Sequence, residues 1–261
     1  GHDLLAAASR VRRARERRLA PAPHGAGPVR LAHGGQRPTW ICVPALVPPA
    51  NPLVYRRLAD AAAPSEVWAL AHPGYAEGES LPLDRAALIR GHADAIRSQI
   101  GGEELVLIAY SSGGWVAHEV AACLERAGAF PRALVLLDTY LRRDLSAELS
   151  ARFTRAWATD GSASFVRDHE LTALPWYLEL FSDWSPGPIA TPTLLVQSAD
   201  PVPGPPLADW QARWPHPHDV REVPGNHFTI ITESSHLTAK TVHDWLATVP
   251  SAAIAGGARA S

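Results

Sequence analysis

Residues 105–124 read LVLIAYSSGGWVAHEVAACL. An apolar run stops at two serines and two glycines, and an amphipathic pattern follows. That is how a buried strand turning sharply into a helix reads. A serine held at such a turn has its hydroxyl thrust out at the end of the strand, where it can act as a nucleophile. The strand and helix then cross so closely that the residues two before and two after the serine must be small. Ser111 meets the requirement, with Ala109 and Gly113 as flanks. Ser112 does not, because Tyr110 would stand at the crossing. Ser111 is therefore the expected nucleophile. Alanine at 109, where glycine is commoner, is the mildest departure the turn allows.

A serine hydroxyl needs a base to take its proton, and the base needs an acid to orient it. At a strand-to-helix serine of this kind, the partners follow along the chain as acid and then histidine, with the histidine on a loop after the last strand. There the sequence reads DVREVPGNHFTIIT, which puts His227 just past a Pro-Gly turn. The chain has 12 histidines, and location separates this one from the rest. His216 and His218 lie in a proline-rich loop, His118 in the helix after the serine turn, and His236 and His243 in the closing helix. Two aspartates can serve as the acid: Asp138 in ALVLLDTY and Asp200 in TLLVQSADPV. Asp200 precedes a proline and also suits an ordinary turn.

A tetrahedral oxyanion needs two backbone donors, one following the nucleophile and one from the loop after an early strand. The first is the N–H of Ser112. The second comes from CVPALVPPAN, from Leu46 or Ala45, since Pro44 has no N–H. Leu46 is the preferred donor.

The elements that must position these residues alternate along the chain. Apolar runs at 39–43, 66–70, 105–109, 133–137, 193–197 and 219–223 are separated by helical stretches at 52–63, 84–100, 113–127 and 236–248. The alternation predicts an α/β fold, a mostly parallel sheet with helices on both faces. Strands so uniformly apolar fit a sheet covered on both sides. Between Asp138 and Thr193 the rhythm breaks into two helical stretches around Gly161, an insertion at about 140–190 expected to form a lid. Residues 1–27 are read as a Gly-His tag scar, an arginine-rich helix over 3–20 and a linker. Residues 28–249 are read as the domain, and 250–261 as a disordered tail. The absence of a starting methionine reads as a piece taken from a longer chain.

Composition narrows the classes further. A chain of 261 residues can bury one sizeable core. The formal net charge of −2, with no basic block beyond the short arginine run, argues against nucleic acid. No apolar stretch reaches the roughly 18 residues that span a bilayer, and the start lacks a signal-peptide core. A cytoplasmic protein without membrane contact is expected. Cys42 and Cys123 fall inside elements, in no metal-binding or disulfide spacing, and no metal or cofactor is expected.

Five segments in order, HPGYAEGESLP (72–82), LVLIAYSSGGWVAHEVA, ALVLLDTY, TPTLLVQSADPV and VPGNHFTII, resemble the terminal thioesterase domain of modular type I polyketide synthases. The resemblance runs from TWICVPALVPPANPLVYRRLA to VHDWL. It implies an α/β-hydrolase fold and release of a polyketide acyl chain from the phosphopantetheine arm of an acyl carrier protein, by hydrolysis or macrolactonisation. It also implies that the acid is the aspartate of the LLD-x-Y segment, Asp138. The lid would then cover a substrate channel lined by Tyr140, Trp176, Tyr177 and Trp184, and the N-terminal helix would form a homodimer contact. Two departures touch the pocket floor: Tyr110 where the family usually has histidine, and Ala109 where it has glycine. A stand-alone editing (type II) thioesterase wired through Asp200, a general serine esterase, and an inactive binding module on the same fold are the alternatives.

Overall fold

The computed structural model describes residues 27–100, 104–159 and 166–250. The expected helix at 3–20, Gly161 and the tail beyond 250 lie outside them. Seven strands form one sheet: β1 (Val29–Ala32), β2 (Gln36–Val43), β3 (Ser65–Ala69), β4 (Leu105–Tyr110), β5 (Ala133–Leu137), β6 (Thr193–Ser198) and β7 (Asp219–Val223). Their spatial order is β1-β3-β2-β4-β5-β6-β7, with β1 antiparallel to β3 and every other pairing parallel.

Helices lie on both faces. On one are α1 (Arg56–Ala61), entered through a 3-10 turn at Pro52–Tyr55, and α6 (Ser235–Leu246). On the other are α2 (Arg85–Ala95), which widens into a π turn at Ile96–Ile100, and α3 (Gly113–Arg126). The side chain of Asp84 caps α2 by accepting from the Ala87 N–H, satisfying one of the orphan donors at a helix start. The middle strands alternate between two cores. Leu107, Ala109, Leu134 and Leu136 face α2 and α3, while Val106, Ile108, Val135 and Leu137 face α1 and α6. Each such side chain out of water stabilises the fold by roughly 1.5–3 kcal/mol, which is why these strands carry no polar face.

Two expectations are corrected at the sheet edges. β1 was not expected at all: it has only four residues, two of them exposed. β7 is not covered on both faces, since Asp219, Val220, Arg221 and Glu222 are exposed and only Val223 is buried. An edge strand with charges is protected from pairing with another chain. The insertion between β5 and β6 is helical, with a 3-10 turn at Arg142–Asp144 followed by α4 (Ala147–Thr159) and α5 (Asp168–Leu180). No helix among the described residues is long and apolar enough to cross a membrane.

Candidate active site

After β3 the chain returns across β2 to lay down β4, so the sheet order reverses between β2 and β4. Such a switch opens a crevice at the carboxyl ends of the two strands. The loop after β2 and the turn after β4 meet there.

Ser111 is at that turn, with φ of 54°, a left-handed conformation rare for a residue with a Cβ. Its N–H donates to Leu137 O at 2.9 Å, and its carbonyl accepts from Thr139 Oγ1 at 2.9 Å. The end of β5 therefore holds the strained turn from both sides. The helix begins two residues on, so the positive end of α3 lies beside the serine. Gly113 shows why the flank must be small. A Cβ there would lie 2.4 Å from Pro44 O and 2.5 Å from Val43 O, both backbone atoms that cannot swing aside.

Asp138 follows β5, fully buried, also with a positive φ of 46°. Its N–H donates to Val196 O at 2.8 Å, and its Oδ1 accepts from the Ser198 N–H at 3.1 Å. Its Oδ2 accepts from His227 Nδ1–H at 2.8 Å and from the Tyr140 hydroxyl at 3.3 Å. Because a carboxylate only accepts, the proton of neutral His227 resides on Nδ1, and Nε2 is left as the acceptor. Seen from the sheet, the arrangement is a serine at the end of one strand, a buried carboxylate at the end of the next, and an imidazole joined to it. Residues 45–246 match the family of thioesterase domains.

The chain belongs to that thioesterase family. It is 41% identical over 228 residues to polyketide synthase GfsE of Streptomyces halstedii, covering 84% of this chain and 6% of that protein. It is 39% identical over 232 residues to the spectinabilin polyketide synthase system protein NorC of Streptomyces orinoci, covering 86% and 10%. The chain thus spans a tenth or less of the length of these relatives. Among solved structures it superposes on the Vlm2 thioesterase domain with TM-score 0.61 at 20% identity, covering 85% of this chain and 98% of that one. The fold is the α/β-hydrolase type that the strand pattern and the resemblance implied.

Asp200, the other aspartate considered for the acid, braces the turn that carries the histidine. Its Oδ2 accepts from the Gly225 N–H at 2.9 Å, and its own N–H donates to Gly225 O at 2.9 Å. Gly225 has φ of 105°, which only glycine adopts without strain, and this bends the chain so that His227 faces Asp138. The N–H of Leu46 donates to Ser112 Oγ at 2.9 Å, which places the loop donor against the residue after the turn serine.

Each of the four aromatic residues expected along a channel is engaged by a hydrogen bond to another element. Burial, then the neighbouring Asp138 charge, pushes the Tyr140 hydroxyl far above the ordinary tyrosine range, so it stays protonated and shares its one proton between Trp210 O at 2.9 Å and Asp138 Oδ2 at 3.3 Å. Trp176 Nε1–H donates to Pro82 O at 2.9 Å, Tyr177 OH to Pro73 O at 2.7 Å, and Trp184 Nε1–H to Glu119 Oε1 at 2.7 Å. Tyr177 is wholly out of solvent. Among the described residues, no group of three or more His, Cys, Asp or Glu side chains is placed to hold a metal ion.

Two neighbours of His227 were not expected from the sequence. The Tyr110 hydroxyl donates to His227 O at 2.9 Å, with the two rings 5.0 Å apart and 32° from parallel. Phe153, on helix α4 of the insertion, stacks on the imidazole at 4.6 Å and 24°. The first follows from Tyr110 ending the strand that carries Ser111. No local pattern announces the second, because residue 153 meets residue 227 only when the insertion packs on the sheet.

Proposed function

We propose that this domain releases a finished acyl chain from the acyl carrier protein of a polyketide assembly line, through an acyl-enzyme on Ser111. The observation that carries the reading is the 2.8 Å bond from His227 to buried Asp138, which follows the strand next to the one that ends at Ser111 and its left-handed turn. In this reading Nε2 of His227 takes the Ser111 proton as Oγ attacks the carbonyl carbon of the acyl thioester. Such positioned proton transfer contributes about 10²–10⁴-fold in rate. The N–H groups of Ser112 and Leu46 meet the oxyanion, that of Leu46 passing from Ser112 Oγ to the substrate oxygen. As the tetrahedral adduct collapses, the C–S bond breaks and the phosphopantetheine sulfur leaves with the proton from His227. Asp138 remains ionised throughout and keeps Nε2 facing the serine.

The acyl-enzyme is then opened by a second nucleophile whose proton again goes to His227 and on to Ser111. Water yields the linear acid, and a hydroxyl of the acyl chain yields a macrolactone. The same three side chains serve both routes. The polyketide synthase relatives support the carrier protein and the polyketide chain as partners. A cytoplasmic location and a homodimer built on residues 3–20 belong to the same reading.

The test is intact-protein mass spectrometry during turnover of an acyl-N-acetylcysteamine thioester. The parent is expected to carry one acyl group on the Ser111 peptide, and Ser111→Ala none, with turnover abolished. Turnover that persists in Ser111→Ala would rule the mechanism out.

A further inference from the structure

Behind the loop after β2 is a set of buried polar side chains that the reaction above does not use. His72 Nε2 is 2.9 Å from Pro44 O, and His72 Nδ1 is 3.2 Å from Nε2 of His92 on α2. A carbonyl only accepts, so Nε2 of His72 carries the proton. Its Nδ1 is then an acceptor, and His92 must donate to it from Nε2. One carbonyl thus dictates the tautomers of two rings. Three residues further on, the Tyr75 hydroxyl donates to Leu46 O. Tyr177 of lid helix α5 holds the same segment through Pro73 O at 2.7 Å.

The geometry has a specific consequence for the peptide between Ala45 and Leu46. Each peptide is a rigid plane, and only the torsions between planes are soft. The plane before this one is held at Pro44 O by His72, and the plane after it is held at Leu46 O by Tyr75. The plane between them bears the Leu46 N–H, and with both neighbours fixed it has little freedom to rotate. That N–H is accordingly aimed at Ser112 Oγ, 2.9 Å away, beside the turn serine. We infer that His72 and Tyr75 are positioning residues that fix the direction of the Leu46 N–H, the loop donor to the oxyanion.

The inference rests on the thioesterase reading, in which that N–H meets developing charge. Donors of this kind act by being oriented before the charge forms, so a loosened loop costs rate and leaves ground-state binding intact. Burial supports the clamp chemically. It pushes His72 down to about 4 and, together with its neighbour His72, His92 down to about 3, so both rings are neutral at ordinary pH. Burial also holds Tyr75 well above the usual tyrosine range, keeping its hydroxyl a donor.

The experiment compares Tyr75→Phe, His72→Leu and His72→Gln with the parent in steady-state turnover of an acyl-N-acetylcysteamine thioester. The same proteins are titrated with a trifluoromethyl ketone analogue of that substrate, which binds by forming an oxyanion on Ser111. Tyr75→Phe is expected to lower kcat about tenfold with KM within about twofold, and to weaken the ketone by a similar factor. His72→Leu should lose at least as much. His72→Gln, whose amide nitrogen can take the place of Nε2, should recover part of it. If Tyr75→Phe keeps the parent kcat and ketone affinity in an active enzyme, the clamp is overturned while the thioesterase reading stands. Losses that appear equally in KM and in the unfolding midpoint also overturn it, since they mark a merely structural role. A parent that never acylates Ser111 removes the thioesterase reading and the clamp with it.

Discussion

Phe153 covers His227: the two rings lie 4.6 Å apart and 24° from parallel. The phenyl group belongs to the first helix of the insertion and the imidazole to the loop after the last strand, so the insertion touches the proposed base itself. With Tyr110, Tyr140 and Phe228 also against it, His227 is only 5% exposed. Water that deacylates an acyl-enzyme must reach Nε2, and the stack narrows its approach. Phe153→Ala should therefore shift products from a long hydroxyacyl thioester several-fold toward the linear acid, read as the acid-to-lactone ratio by mass spectrometry. An unchanged ratio would mean that the lid excludes water elsewhere.

Asp138 and Asp200 should separate cleanly on substitution. Asp138→Asn leaves its oxygen on the Ser198 N–H and turns an NH2 donor toward His227 Nδ1, which forces the wrong tautomer, and loss of kcat on the order of 10⁴-fold is expected for a triad so altered. Asp200→Asn keeps a side-chain oxygen able to accept from the Gly225 N–H, and a loss below about tenfold is expected from a shifted turn. Both are measured as kcat on an acyl-N-acetylcysteamine thioester, with circular dichroism to check folding. A dead Asp200→Asn beside an active Asp138→Asn would favour wiring through the later strand.

Gly113→Ala tests the crossing of strand and helix. The new methyl group meets Pro44 O at 2.4 Å and Val43 O at 2.5 Å, so either α3 or the loop after β2 must move. Overpacking of this kind typically destabilises by about 1–3 kcal/mol, and here the displaced loop is the one carrying Leu46. A lower urea midpoint with kcat reduced more than tenfold is the expected pair of results. Unchanged stability would show that the crossing is looser than the structure indicates.

Three buried imidazoles make the fold acid-sensitive. Burial lowers His72 to about 4, His92 to about 3 and His118 to about 4, with Glu119 and Glu125 partly opposing the shift at His118. In the unfolded chain a histidine titrates near 6.5. Below that pH the unfolded state binds protons that the folded state refuses, so stability falls as pH falls. Each ring contributes a slope of up to about 1.4 kcal/mol per pH unit until its own folded value is reached. Above about pH 7 these groups contribute no slope. Urea unfolding between pH 7.5 and pH 4.5 should show a steep acid limb, and His118→Phe should make it shallower. A flat limb would mean that these rings are protonated in the folded state.

The sequence by itself determined the central strands, the serine turn, the histidine loop and the helical insertion between β5 and β6. Each is a local matter: an apolar run, two small residues spaced about a serine, and a Pro-Gly turn before His227 are visible within a dozen residues. The resemblance had pointed to Asp138, but spacing alone left Asp138 and Asp200 level, since both follow apolar strands. Only the tertiary structure pairs one with the imidazole and puts the other on Gly225, because which carboxylate faces His227 depends on where β5, β6 and the last loop meet in space. The edges were the least legible, since β1 is only four residues long and β7 carries its charges outward. The contacts around the site were illegible for the same reason as the acid. His72 on Pro44, Tyr75 on Leu46 and Phe153 on His227 each join residues far apart in the chain, and no periodicity encodes a contact made only when separate elements pack.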